Sequence, residues 1–137
     1  MPSVIYNSIL EDTLGGNVDF TKDAFKVMLV TSNYVPNKEA HSRRSNISYE
    51  VSGIGYKPGG LLVPVSVKKN NNLEVLFGLV AWSLSTITGA GAVYYRSHDS
   101  LAMLDELVAF VDFGRDVVSI NGQFLLNTST LRFQNGS

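Results

Sequence analysis

Two apolar periods divide this chain. Over residues 3–14 apolar side chains recur at Val4, Ile5, Ile9, Leu10 and Leu14, with Thr13 beside them. This partial helical stripe predicts a helix that Ser3 caps and Gly15 and Gly16 stop. From residue 24 the period shortens to two. Residues 24–31 place Phe25, Val27, Leu29 and Thr31 on one side and Lys26, Met28 and Val30 on the other. Both sides are apolar after Lys26, the pattern of a central strand covered on both faces.

Residues 61–68 alternate as a strand in which Pro64 implies an edge or a bulge. Residues 73–77, 79–82, 92–96 and 107–113 read as further strands, the last ended by Gly114. Residues 86–88 lead to a turn expected at Gly89, Ala90 and Gly91. Residues 117–119 and 123–127 flank Asn121 and Gly122, a hairpin signal because both tolerate positive φ. Residues 128–133 make a last strand and 134–137 a frayed tail, while 97–106 fit either a loop or a short helix. The fold expected is mainly β: a single-domain β-sandwich or jelly roll of about eight strands over residues 17–137, preceded by a helical segment at 1–16. That segment is expected either to cover the open end of the sheet or to dock on a neighbouring subunit.

Residues 75–95 carry no charge and are long enough to span a bilayer. Ser83, Ser85, Thr86 and Thr88 sit in the middle of the run, where hydrocarbon penalises them most, so adjacent strands are the better reading. Trp82, the only tryptophan, falls in this stretch.

Composition narrows the chemistry. The 137 residues have 11 basic and 12 acidic side chains, a net charge of −1, which offers no field to attract nucleic acid or anionic lipid. There is no cysteine, hence no disulfide and no thiolate chemistry. Charged residues make up only 17%, low for a chain that keeps all of its surface in water, so part of that surface is expected to be covered by other subunits. The start of the chain shows no signal-peptide pattern, and cytoplasmic synthesis is expected.

No Gly-x-Ser-x-Gly elbow occurs, and neither His41 nor His98 sits in a catalytic or metal-binding spacing. Asp99, Asp105 and Glu106 do not follow a calcium-loop pattern and read as solvated acids. Asp112, inside the apolar run 110–113, needs a partner such as Arg115 or a backbone amide. No enzyme activity, cofactor or metal is therefore expected. The irregular segment 32–60 is the expected working surface, since a connection of that length inside a compact domain often serves binding. It carries the basic cluster Lys38, His41, Arg43 and Arg44, read either as a solvated loop or as a pairing site for an acidic neighbour. Its Tyr34, Tyr49 and Tyr56 have rings suited to interfaces. Glycines 53, 55, 59 and 60 with Pro58 make a turn, not a phosphate cradle, because the spacing is wrong for one.

Several segments carry a resemblance. Met1-Pro2-Ser3-Val4-Ile5-Tyr6-Asn7-Ser8, the run Lys26-Val27-Met28-Leu29-Val30-Thr31-Ser32 continuing to Tyr34-Val35-Pro36-Asn37, Glu50-Val51-Ser52-Gly53-Ile54-Gly55-Tyr56 with Gly59-Gly60, and Val111-Asp112-Phe113-Gly114 resemble, in order, a widespread family of small tailed-bacteriophage virion proteins. The resemblance implies a non-enzymatic structural role, decorating or cementing the capsid. Its implied partners are the major capsid protein and copies of the chain itself, in a virion assembled in the host cytoplasm. A tail or head-to-tail component is the alternative within virions, with tail proteins as partners, and a carbohydrate-binding jelly-roll module is the alternative of another class. Residues 97–106, rich in Leu and Met, depart from the family pattern. Contact residues expected on this reading are Ile5, Tyr6, Ile9, Tyr34, Arg43, Arg44, Tyr49 and Tyr56.

Overall fold

The computed structural model describes residues 4–16, 18–69, 73–98 and 103–133. Eight strands and one helix follow in the order β1 (Val4–Ile5), α1 (Ser8–Leu14), β2 (Phe25–Val30), β3 (Leu61–Val63), β4 (Val65–Lys69), β5 (Leu73–Phe77), β6 (Val80–Arg96), β7 (Glu106–Leu126) and β8 (Ser129–Phe133), with a 3-10 turn at Arg44–Asn46 between β2 and β3. They form an antiparallel β-sandwich: a five-stranded sheet ordered β1-β7-β6-β2-β3 and a three-stranded sheet ordered β4-β5-β8.

β2 is the covered strand its pattern predicts. Phe25, Val27 and Leu29 point into the main core, where Phe77 of β5 stacks on Tyr94 of β6 with centroids 4.3 Å apart, beside Val75, Trp82, Phe124 and Leu131. Met28 and Val30 point the other way, into a second core with Tyr6, Tyr34, Val93, Tyr95, Leu107 and Phe110. Each fully buried large side chain contributes about 2 kcal/mol, so the two-sided burial of β2, β6 and β7 anchors the fold.

Pro64 stands at an edge, as its presence implies: β3 and β4 on either side of it are each an edge strand, and it marks the corner between them. It ends β3 in one sheet and begins the path to β4 in the other, and its carbonyl accepts the Gly78 N–H at 2.7 Å where the chain returns from β5 to β6. The lack of an N–H on proline costs nothing at a position where the ladder changes sheets.

Three expectations about local structure are corrected. The helix begins at Ser8, because the β-branched Val4 and Ile5 pair with Phe110 and Ala109 of β7 instead; Ser3, the expected cap, lies outside the described residues. Gly89 and Gly91 make no turn but lie inside β6, and a Cβ on Gly91 would come within 2.4 Å of the Phe110 ring. Their smallness admits aromatic side chains rather than bending the chain. Asn121 and Gly122 likewise form no hairpin: they lie in a register shift of the long β6–β7 ribbon, where Asn121 has φ +46° and donates its N–H to Thr86 Oγ1 at 3.0 Å. A second shift, at Leu84 with φ +50°, bends the other strand. Such bulges let 17- and 21-residue strands curve around a small core.

The N-terminal segment is fastened to this body. β1 extends the large sheet, Tyr6 N–H bonds the Val108 carbonyl at 3.2 Å, and Ile9 of α1 is buried in the main core. Among the described residues no helix is long and apolar enough to cross a membrane.

Candidate interaction surface

The 32–60 segment does not hang free. Its second half folds against β2, with Thr31 N–H on the Tyr49 carbonyl and Val51 N–H on the Leu29 carbonyl, each at 2.9 Å. Tyr56 fixes it from inside. The hydroxyl accepts the Leu29 N–H at 3.0 Å and donates to Glu50 Oε2 at 2.6 Å, while that carboxylate oxygen also takes the Gly59 N–H at 2.7 Å. Burial and the neighbouring Glu50 charge push the Tyr56 phenol far above its ordinary value, so it stays a hydroxyl. Gly60 is required here, since a Cβ would fall 1.8 Å from the Val27 carbonyl oxygen and φ is +78°.

The first half is held by a relay of rings. Tyr6 and Tyr34 share a hydroxyl bond of 2.6 Å, and the Tyr34 hydroxyl meets His41 Nδ1 at 3.0 Å, with the Tyr34 and His41 rings stacked 5.8 Å apart. Nδ1 also accepts the Asn37 N–H, which fixes it as an unprotonated acceptor, and burial holds the imidazole below its ordinary value.

The two arginines of the basic cluster are paired inside the chain, while Lys38 is exposed. Arg43 reaches the Asp12 carboxylate of α1 at 3.1 Å. Arg44 Nε donates to Asp105 Oδ2 at 2.6 Å and its guanidinium lies over the Tyr95 ring, 5.2 Å from the centroid. Burial pulls the Arg44 guanidinium down, but the bond to Asp105 together with the nearby Tyr95, Asp105 and Glu50 groups outweighs it and leaves the group above its ordinary value. Asp105 Oδ1 takes the His98 N–H at 2.6 Å, His98 pairs with Glu106, and Arg96 pairs with Asp23 at 3.1 Å. Asp105 and Glu106 are thus buried, paired acids rather than solvated ones; Asp99 lies outside the described residues. The expected acidic neighbours of the cluster are Asp12 and Asp105 of the same chain.

Of the expected contact residues, Tyr6, Ile9, Tyr34 and Tyr56 are buried, Arg43 and Arg44 are paired internally, and Ile5 and Tyr49 remain exposed. The four buried side chains are corrected from contact to core because each closes one of the two cores or the relay above. Asp112 accepts the Gly114 N–H at 2.8 Å, which holds its carboxyl below the usual range. Among the described residues no group of three or more histidine or carboxylate side chains is placed to hold a metal.

A surface that sequence patterning missed lies on the distal half of the β6–β7 ribbon. There Trp82, Ile87, Phe124 and Leu126 point inward, and the alternate positions point out. Thr88 stands opposite Val118 and Ala81 opposite Leu125, while Ile54 of the 32–60 segment is bridged to Thr86. The exposed apolar members are Ile54 (71%), Leu84 (79%), Val118 (57%), Ile120 (75%) and Leu125 (46%). Residues 51–56, 75–95 and 117–131 contribute no charged side chain. These spans therefore bring no charge to the face. Its signal was present in the sequence as charge-free runs longer than one core face needs.

Comparison with protein-family models, curated proteins and solved structures finds no match to this chain.

Proposed function

We propose that the chain is a non-enzymatic structural component of a tailed-bacteriophage virion that decorates the head shell. One observation of the fold carries the reading: the outer face of the β6–β7 ribbon, with Ile54 bridged onto it, exposes five aliphatic side chains with no charge among them. Exposed apolar side chains grouped on one face commonly mark a contact surface. The ordered sequence resemblance supplies the partner, the major capsid protein, and the polar groups of the chain supply rigidity: Arg43, Arg44, Tyr56, Asp105 and Glu106 tie loops to the sandwich. A cement protein works by bridging neighbouring shell subunits, each copy adding modest association energy that the shell symmetry multiplies.

The carbohydrate-binding alternative loses the rings it relied on, since Tyr34 and Tyr56 are internal and only Tyr49 of the three is exposed. The test is an add-back. Particles made without the chain should lose heat or dilution resistance, and purified chain should bind them saturably and restore it, whereas Ile54→Asp with Ile120→Asp should bind far less while melting as the parent does. Undiminished shell binding by the double variant would remove this face from the account, and no binding by the parent chain would remove the decoration role.

A further inference from the structure

The bulge at Asn121 places reactive chemistry inside the outer face. Asn121 and Gly122 are the only Asn-Gly pair among the described residues; Asn135-Gly136 lies outside them. β6 and β7 pair at Ser85 with Gly122 and at Ile87 with Ser119, so Thr86 alone opposes Ile120 and Asn121 and the ladder is interrupted. Asn121 is exposed with φ +46°, its N–H goes to Thr86 Oγ1 at 3.0 Å, and among the described residues no hydrogen bond holds its side-chain amide. The backbone does not require glycine at 122. Its φ is not positive, and a Cβ there would meet only the Ile120 carbonyl oxygen at 3.5 Å, an ordinary contact. What the glycine supplies is a backbone nitrogen with no side chain beside it to hinder attack.

We propose that Asn121 is a site of spontaneous deamidation that makes the outer face acidic as the free chain ages. The Gly122 nitrogen loses its proton to solvent base and attacks Asn121 Cγ; the N–Cγ bond forms, the Cγ–Nδ2 bond breaks, and Nδ2 takes a proton from water and leaves as ammonia. Water then opens the five-membered imide at either carbonyl, giving aspartate or isoaspartate. One water is consumed, one ammonia is released and one negative charge is gained. The attack needs a rotation of the Asn121 backbone, and Asn121 has no ladder pair to break in making it. The charge arises among the aliphatic side chains: Ile120 precedes it, Leu84 adjoins the Ser85 that pairs with Gly122, and Ile54 is bridged to the Thr86 that takes the Asn121 N–H. A shell subunit seated there buries that charge unpaired, which weakens docking on the order of a hundredfold. This consequence rests on the head-decoration reading; the conversion itself needs only this chain.

Two measurements test the two steps separately. The full chain is aged in mildly alkaline buffer, folded and denaturant-unfolded, and peptide mass spectrometry with isoaspartyl methyl-transfer labelling assigns the conversion to Asn121 or Asn135. Asn121 of the folded parent should convert within about tenfold of the unfolded rate, an added barrier below about 1.4 kcal/mol, and should stay an amide over the same period in folded Gly122→Ala. A folded parent slowed beyond tenfold, or equal conversion in Gly122→Ala, overturns the proposal; should Gly122→Ala fail to fold, the comparison of folded with unfolded parent decides. Binding to particles made without the chain is then measured for fresh parent, aged parent, Asn121→Asp and aged Gly122→Ala. Aged parent and Asn121→Asp, whose new residue tolerates the left-handed region, should lose binding while aged Gly122→Ala keeps it. Undiminished binding by Asn121→Asp, or equal loss by aged Gly122→Ala, overturns the effect on docking. Fresh parent that does not bind removes the head-decoration reading, and the ageing measurement still decides the conversion.

Discussion

Replacing Arg44 with alanine should cost the isolated chain about 3 to 5 kcal/mol. The Asp105 side chain is 1% exposed and that of Arg44 16%, so solvent does little to screen their 2.6 Å contact. Without the guanidinium, Asp105 keeps the His98 N–H at 2.6 Å but loses its counter-charge, and Tyr95 loses the cation above its ring. Leaving a buried carboxylate unpaired is the expensive step; forming the pair from water yields much less. Since a domain of this size has roughly 5–15 kcal/mol in total, the loss is a large part of its stability. Urea denaturation followed by Trp82 fluorescence measures it as a fall in midpoint at unchanged slope. Arg44→Met combined with Asp105→Leu should recover most of the loss, because it removes the stranded charge as well. An Arg44→Ala unfolding free energy within about 0.5 kcal/mol of the parent would refute the reasoning, since that is the range of an ordinary surface substitution.

Other substitutions probe other parts. Because the His41 pKa is lowered in the fold, its contribution to stability is full above the ordinary value of 6.5 and is lost as pH falls below it toward the folded-state value; a plot of melting temperature against pH should show that fall in the parent and lose its histidine part in His41→Asn. Gly91→Ala should cost about 1–3 kcal/mol by driving a methyl into the Phe110 ring, read as a lowered melting temperature. Asn121→Val should cost about 1–2 kcal/mol because a β-branched residue is forced into the left-handed region, whereas Asn121→Gly should unfold at nearly the parent midpoint. Tyr56→Phe should cost about 1–3 kcal/mol by stranding the Leu29 N–H and one bond of Glu50, with equilibrium unfolding as the check.

Alternation made much of the sandwich legible. The two-faced apolar pattern of residues 24–31 announced a covered strand, and β5 and most of β8 fall where the runs 73–77 and 128–133 place them. Local signals misled where one residue type answers two needs. A glycine that admits the Phe110 ring and a glycine that turns a chain look the same in sequence, and Asn121 with Gly122 supplies positive φ to a bulge as readily as to a hairpin. Two long strands consequently look in sequence like several short ones. The contact residues were harder still, because the partners of Arg44 and Tyr6 lie 61 and 28 residues away and only the folded chain brings them together. The open face was hidden for the opposite reason: a charge-free run reads as core, and only the paired register shows that every second residue of its middle part faces outward.

The copy number of this chain in purified virions, measured by quantitative mass spectrometry against the major shell protein, tests the central claim most directly. Decoration of the head predicts a ratio near one, or a simple fraction set by the icosahedral lattice. A few copies per particle would place the chain in the tail or at the portal instead, and absence from the particle would contradict the virion reading altogether.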